Sequence, residues 1–348
     1  LPDVKDGEFY FQELFVNGQR RPRARGPNDG FFRVDKAGPD NRTSFQFHAG
    51  DLRAFTSLSE VQVVFLHDWS VSRVAIREVD EAARTVSFKD PIGAKSDFFR
   101  ITGFEPHPRY YIENAIELLD EPGEWFLDRT RGVLSYIPQP AEDMNRVEVV
   151  APVLDQLLVV RSNTERGETV KNLRFVGLAF EHSATPQFPA GYAEGQAGFH
   201  EVRGEGSGRG RGRMPAAVVF DATVGCRFEQ GRIAHVGATA ISVQGKGESN
   251  AIVGNEIFDA GGNGVMIGEP STAVDQLAKN NLVANNRIHH CGQLYHGCVG
   301  VWAGITDGTT VTHNEIHDLP YTGVSVGWMW NTTPTPCRAT QTMHRASK

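Results

Sequence analysis

Five histidine and aspartate residues recur in the second half of the sequence with a spacing that a stacked fold would bring together. They are His182, His235, Asp259, His290 and Asp318, and each stands two residues after an apolar residue of a repeat. If the repeats stack, these side chains form one column along a single corner. Carboxylates with interleaved imidazoles predict general acid and base chemistry, because each group shifts the pKa of its neighbour.

Two pairs of carboxylates have a spacing that suits hydrolysis of a glycosidic bond. Asp259 and Asp318 lie two repeats apart, and two steps of a β-ladder give about 9–10 Å. Inverting glycosidases hold their two carboxyl groups about 6.5–9.5 Å apart, and retaining enzymes about 5 Å apart, as Glu315 and Asp318 within one repeat could be. We predict that Asp318, Asp259 and Glu315 are catalytic. The alternative for each is a structural ladder of bonded imidazoles and carboxylates.

Other side chains near this corner are predicted to bind the substrate. Trp302 occupies the middle of the strand after the corner, so it should face away from the interior, and an exposed indole suits stacking on a sugar ring. The alternative is an indole covered by another module. Tyr321 and His296 lie on loops near the same corner. The predicted substrate-binding set is His290, His235, Trp302, Tyr321, His296 and His317.

The element that positions these residues is a repeat of about 24 residues. Phe180, Ile233, Ile257, Ile288 and Ile316 mark equivalent positions, with an apolar residue five places before each and, in most repeats, a short apolar strand eight places after. A unit this short cannot bury its own apolar face and must stack on its neighbours. Propeller blades need about 40 residues. The repeat therefore predicts an all-β fold, a right-handed parallel β-helix.

Two more columns support this alignment. Asparagines stand two places before the reference residue in the last three repeats, at Asn255, Asn286 and Asn314. They are expected to bond along the ladder and to tolerate a left-handed corner. The residues just before the reference position alternate in charge, which predicts a solvated salt-bridge stripe; they are Arg232, Glu256, Arg287 and Glu315.

The sequence divides into three regions. Residues 1–150 are predicted to form a β-rich, sandwich-like module, with one or two helical turns at residues 112–119, placed before or inserted into the coil. Residues 151–330 hold the coil rungs, interrupted by a long loop insertion at residues 183–214 with a flexible, glycine-rich end. The pattern stops after Trp330, so residues 331–348 are predicted to be an irregular tail of a truncated coil.

Composition excludes several classes of function. The chain has 35 Lys plus Arg against 42 Asp plus Glu, a net charge of −7, which argues against a nucleic-acid partner. No apolar run reaches the roughly 18 residues of a membrane span, and we expect a monomer. Scattered cysteines and the absence of HExxH, P-loop and GxSxG motifs predict neither a metal site nor a cofactor. Cys291 and Cys298 could form a disulfide or remain two buried thiols.

Four stretches carry a resemblance to a known family. They are HNEIHDLPYTGVSVGW at residues 313–328, PGEWFLDR at 122–129, LFVNGQR at 14–20 and QAGFH at 196–200. Together they resemble bacterial right-handed β-helix proteins related to glycoside hydrolase family 141, with family 120 as the nearest competitor. The resemblance implies a secreted or periplasmic carbohydrate-active enzyme with acidic catalytic residues, in a family linked with α-L-fucosidase and xylanase activities. Such a fragment would lack any catalytic acid or base that lies beyond Trp330, and its own activity stays an open question.

Three functions remain open from the sequence. The leading hypothesis is a glycoside hydrolase that cleaves a polysaccharide or oligosaccharide through paired carboxylates. A polysaccharide lyase would want a basic catalytic residue and clustered aspartates for calcium, and the repeat columns do not offer these aspartates. A non-catalytic carbohydrate-binding or adhesin β-helix would use the His/Asp column only as a structural ladder.

Overall fold

The structure, a computed structural model, describes residues 1–7, 9–58, 60–204, 211–270 and 277–327, and the backbone of 338–342. The chain divides into two compact units. The barrel unit comprises Leu1–Val153 and Gln187–Arg213, and the coil unit comprises Leu154–Pro186 and Met214–Lys348. Each unit is therefore built from two separate stretches of chain.

The barrel unit contains a short helix, α1 (Pro2–Lys5), and antiparallel strands. Its strands are β1 (Leu14–Val16), β2 (Gln19–Arg21), β3 (Arg25–Gly26), β4 (Phe32–Ala37), β5 (Ser44–Phe47), β6 (Gln62–Leu66), β7 (Val71–Asp80), β8 (Thr85–Phe88), β9 (Arg109–Glu113), β10 (Trp125–Asp128), β11 (Val133–Tyr136) and β12 (Val149–Val150), and later β16 (Tyr192–Gln196), β17 (Phe199–Glu201) and β18 (Arg211–Arg213).

Six of these strands close into a ring. The pairings run β7 to β6, β6 to β9, β9 to β4, β4 to β5, β5 to β8 and β8 back to β7, all antiparallel. Side chains on the inner face form one core, in which Phe45, Phe65, Phe88 and Tyr110 are buried and in ring contact. Closure removes the exposed sheet edges that an open module of this size would present.

Only part of the helical turn predicted in this unit is present. The two strands that follow it, β10 and β11, form a hairpin with Trp125 opposite Tyr136. Residues 112–119 were predicted to be helical, and this is wrong for most of the segment. Strand β9 runs through Glu113, and only Ile116–Leu118 form a single 3-10 turn, because ladder pairing of Ile112 with Val63 overrides the local helix preference.

The coil unit contains parallel strands in three sheets. Its strands are β13 (Leu158–Arg161), β14 (Arg174–Val176), β15 (Ala179–Ser183), β19 (Ala216–Asp221), β20 (Arg227–Glu229), β21 (Arg232–Val236), β22 (Thr239–Gln244), β23 (Ala251–Val253), β24 (Glu256–Ala260), β25 (Val265–Ile267), β26 (Ala278–Lys279), β27 (Leu282–Ala284), β28 (Arg287–Cys291), β29 (Val301–Ala303), β30 (Thr306–Thr312), β31 (Glu315–His317), β32 (Val324–Val326) and β33 (Arg338–Thr342).

The pairing of these strands confirms the predicted β-helix and its register. Phe180 pairs with Ile233, and the ladder continues through Ile257 and Ile288 to Ile316. The apolar column five residues earlier is in register in the same way. Ile233, Ile257 and Ile288 are fully buried in one core, and each contributes about 1.5–3 kcal/mol through burial.

The asparagine column forms a ladder inside one corner of the coil. Asn255 donates from Nδ2 to Asn286 Oδ1 at 3.0 Å, and Asn286 donates to Asn314 Oδ1 at 2.9 Å. The expectation that these residues adopt the left-handed conformation is wrong. The positive φ falls on the residue before each of them, at Gly254, Asn285 and His313, so the left-handed turn precedes the asparagine.

Two predicted irregular segments contain strands. The insertion between β15 and β19 was predicted to be a loop, but residues 192–201 form β16 and β17, which pair with each other, and β16 also pairs with β7. The tail was predicted to be irregular, but Arg338–Thr342 forms β33, parallel to β30. Residues 331–337 and 343–348 of that prediction lie outside the described residues.

Candidate active site

The five residues of the predicted column share one edge of the coil unit. They belong to the sheet β15-β21-β24-β28-β31 and the turn after it. The rings of His182 and His235 stack with centroids 5.1 Å apart, and His235 Nδ1 lies 2.7 Å from Asp259 Oδ2. Farther along the column, His290 Nε2 lies 3.9 Å from Asp318 Oδ2. We call this surface, with the outward side chains of the same strands, the polar edge.

The backbone explains why these residue types occur in the column. All five members have positive φ, between 47° and 63°. Among residues with a Cβ atom, histidine and aspartate are enriched in this left-handed region. The left-handed residue also interrupts the alternation of inward and outward side chains along the strand. The next residues, Val236, Ala260 and Cys291, return to the core, so each rung presents two consecutive side chains outside the coil.

The first of these two side chains forms a second column, which the sequence reasoning missed. Phe258 stacks on His289 and His289 stacks on His317, with centroids 5.1 and 5.0 Å apart and ring planes within 6°. The signal was present one place after the reference position, at 258, 289 and 317. A single hydrophobic repeat does not show that two outward columns lie next to each other.

Asp318 is the most accessible carboxylate of the predicted column. Its side chain is 60% exposed and Oδ2 lies 2.7 Å from His317 Nδ1. This hydrogen bond, together with the nearby His290, holds the pKa of Asp318 below its usual value. Asp318 therefore remains ionised, which suits a general base, a nucleophile or a group that stabilises positive charge.

Glu315 lies on the other side of the same imidazole ring. His317 Nε2 is 3.5 Å from Glu315 Oε1, while Nδ1 contacts Asp318. The ring thus stands between the two carboxylates. This arrangement orients both groups, but it differs from a pair of carboxyl groups that face each other across an open gap.

Asp259 has a different environment from Asp318. Its side chain is 15% exposed and is paired with His235. Strands β24 and β31 both flank β28, so the two aspartates are separated by two ladder steps, about 9–10 Å of backbone. One edge therefore carries a sheltered carboxylate and an open one.

The predicted charge stripe is present beside these columns. Arg287 lies 3.5 Å from Glu256 and 3.7 Å from Glu315, and Arg232 pairs with Glu181 of the preceding rung. Glu256 also lies 3.7 Å from His289 Nε2. Burial, followed by the charges of Arg287, His290 and His317, lowers the pKa of His289. Glu256 and His289 thus join the site, although neither was predicted to be a catalytic or substrate-binding residue.

The remaining residues that were predicted to bind the substrate differ in their exposure to solvent. Trp302 was predicted to be exposed, and this is wrong: its side chain is fully buried, although it is outside the core of the coil. Outward position and exposure are different properties, and the strand pattern reports only the first. Tyr321 is 37% exposed and His296 is partly buried. Their loops are adjacent, since a Cβ atom on Gly292 would lie 2.8 Å from Pro320.

Three further features of the described residues bear on the chemistry. Cys291 and Cys298 are both buried and are not joined to each other by a disulfide bond. No group of three or more histidine, cysteine or acidic side chains within the described ranges is placed to hold a metal ion. No helix in that part of the chain is long and apolar enough to cross a membrane.

A parallel coil unit and an antiparallel barrel unit in one chain define the class of protein, and the comparisons with known families agree with this. A family model for the GH141 insertion domain matches residues 1–139, and one for the right handed beta helix region matches residues 216–334. The chain therefore contains a right-handed β-helix, and its residues 1–139 are similar to the insertion domain of glycoside hydrolase family 141. The resemblance found in the sequence is thereby confirmed.

Solved structures add further similarity. A structure described as "Glycoside hydrolase" is 25% identical, with a TM-score of 0.83, and the match covers 94% of this chain and 62% of that one. A second, "The complex structure of XylC with xylose", is 14% identical with a TM-score of 0.40, covering 91% of this chain and 41% of that one. The chain thus spans about three fifths of the first structure. No curated protein matches it in sequence.

Proposed function

We propose that this chain is part of a glycoside hydrolase that cleaves a polysaccharide or oligosaccharide at the polar edge. The observation that carries the proposal is the pair Asp318 and Asp259, two rungs apart in one column, one open and held ionised and the other sheltered. The family 141 insertion domain and the similarity to a glycoside hydrolase support the class of reaction.

The roles follow from the two environments. Asp318 acts as the base that activates water, because its hydrogen bond with His317 keeps it ionised. Asp259 is the candidate acid, because its side chain is only 15% exposed and shelter from water favours the protonated form of a carboxyl group. A separation near 9–10 Å leaves room for a water molecule, so the expected outcome is inversion at the anomeric carbon.

The test uses asparagine substitutions, because asparagine also tolerates the positive φ of these positions. Asp318→Asn and Asp259→Asn are each expected to reduce kcat by at least about 10²-fold. Glu248→Gln is the control, since Glu248 is an exposed carboxylate in the turn between β22 and β23 of the same coil. Release of reducing ends is measured on plant and bacterial glycans, including fucosylated glycans and xylans.

The rates of hydrolysis of the three variants decide whether the two aspartates are catalytic. Hydrolysis that is equal in Asp318→Asn, Asp259→Asn and Glu248→Gln would remove both aspartates from the catalytic role. NMR of the first-formed anomer tests the stereochemistry separately. Retention would favour Glu315 and Asp318 as the working pair.

A non-catalytic carbohydrate-binding role is the second candidate. The left-handed conformation at all five column positions supports it, because this conformation alone accounts for histidine and aspartate there. Glycan binding without any turnover by the wild-type chain would favour this role. In either case we propose that the protein is secreted or periplasmic, since polysaccharides of this kind lie outside the cytoplasm; cell fractionation checks this.

A further inference from the structure

One end of the barrel unit contains a cavity that the proposed reaction does not use. The registers place the start of β4, the end of β5, the start of β6 and the end of β9 at this end. The cavity has a volume of about 200 Å³, and its walls include Phe32, Asp51, Leu52, Arg53, Phe55 and Leu118. The mouths of β-barrels are common places for small-ligand sites.

The walls combine aromatic surface with one acid and one base. Phe32 and Phe55 are only partly buried, so part of each ring remains open. Asp51 Oδ2 accepts a hydrogen bond from the hydroxyl of Tyr110 at 3.2 Å, and burial raises the pKa of Asp51. Arg53 places a positive charge on the same wall. The two opposite charges favour a neutral ligand that both donates and accepts hydrogen bonds.

Hydrogen bonds fix the loop that carries Arg53 and Phe55 of the cavity wall. Glu117, in the 3-10 turn next to Leu118, accepts from the backbone N–H of Thr56 at 2.6 Å. The guanidinium of Arg53 donates to the carbonyl oxygen of Glu117. Burial opposes ionisation of Glu117, but the hydrogen bonds from Thr56 outweigh it and lower the pKa of this carboxyl. The loop that carries Arg53 and Phe55 is thus tied to the turn that carries Leu118. Fewer residues then have to become ordered when a ligand binds, which lowers the entropic cost of binding.

We infer that the barrel unit holds one sugar ring in this cavity, with the apolar face of the ring on Phe55 and Phe32 and its hydroxyl groups on Asp51 and Arg53. Pockets for drug-sized ligands measure about 300–1,000 Å³, so the smaller volume here suits a single ring. Aromatic side chains pack on the C–H face of a sugar, and a carboxylate accepts from its hydroxyls. The site is separate from the polar edge and goes beyond the proposed hydrolysis.

The test measures binding of methyl glycosides of xylose, fucose, glucose and galactose to the whole chain by saturation-transfer NMR. The chain carries Asp318→Asn, so that turnover does not affect the result. At least one glycoside is expected to bind with a Kd of about 1–10 mM, the range for a ligand of this size. Asp51→Asn and Phe55→Leu are each expected to weaken it at least about 10-fold; leucine is chosen because it retains apolar bulk.

Two substitutions in the same unit serve as matched controls. Asp97→Asn removes an exposed carboxylate, and Phe98→Ala removes a ring that is 69% exposed; both should change Kd less than about twofold. The inference is overturned if no glycoside binds up to about 100 mM, if Asp51→Asn and Phe55→Leu bind as the controls do, or if methylammonium competes for the cavity with higher affinity. Loss of hydrolysis at the polar edge affects none of these readings.

Discussion

Removal of the Asn286 side chain should destabilise the coil by an amount that its hydrogen bonds define. Asn286 Oδ1 accepts from the backbone N–H of Asn255 at 2.9 Å and from Asn255 Nδ2 at 3.0 Å, and both residues are 2% exposed. Asn286 Nδ2 donates to the carbonyl oxygen of Ile252 and to Asn314 Oδ1. Asn286→Ala therefore removes one member from the middle of the ladder.

The magnitude depends on which groups lose their only partner. Asn314 Oδ1 keeps the backbone N–H of Asn286 at 3.0 Å, and the second proton of Asn255 Nδ2 remains bonded to the carbonyl of Phe228. Two buried donors of Asn255 are left unsatisfied. Each costs about 1–3 kcal/mol, so the free energy of unfolding should fall by about 2–6 kcal/mol.

Urea denaturation followed by circular dichroism at neutral pH measures this loss. Gln293→Ala removes an amide side chain from an exposed position in the same unit and should change the free energy of unfolding by less than about 0.5 kcal/mol. A loss below about 1 kcal/mol in Asn286→Ala, with an unchanged m-value, would refute the ladder as a source of stability.

Two further predictions concern the imidazoles of the polar edge. His317→Phe keeps the stack on His289 but removes the hydrogen bond to Asp318, so the pKa of Asp318 should rise toward the ordinary value of an aspartate; a carboxyl NMR titration with no shift would contradict the proposed role of His317. The pKa of His289 is lowered in the folded state, so the unfolded state binds a proton first and stability falls as the pH drops below about 6.5. In His289→Phe the loss between pH 7 and pH 5 should be smaller, as measured by urea unfolding at each pH; an equal loss would assign the effect to other groups.

The register of the coil could be predicted because few other registers would keep the apolar residues of every rung buried. Slipping a strand by one residue would turn Ile233 and Ile257 to solvent, so the apolar columns specify the ladder. The salt-bridge stripe beside them was predictable for the same reason, since Arg287 and its acidic neighbours occupy equivalent places.

The remaining features depend on contacts that no short pattern carries. Closure of the barrel joins β5 to β8 and β4 to β9, and the residues paired in the second case are 76 and 78 positions apart in the sequence. Burial of Trp302 depends on what covers an outward side chain. The stack of Phe258, His289 and His317 requires knowing that the corner residue has positive φ, and periodicity contains no information on φ.

The left-handed corner links the structural and the catalytic interpretation of the His/Asp column. In a regular strand, successive side chains point to opposite faces, so His317 and Asp318 could not meet on one surface. The positive φ of Asp318 removes this restriction, and the two groups come within 2.7 Å. The same geometry brings Nδ1 of His289 within 2.8 Å of Nδ1 of His290 one rung earlier. A corner that selects histidine and aspartate for backbone reasons thereby places two polar side chains next to each other where the preceding residue is histidine, as at His289–His290 and His317–Asp318. A polar site can therefore arise on this edge without any added loop, and its position is set by the rungs that carry histidine before the corner.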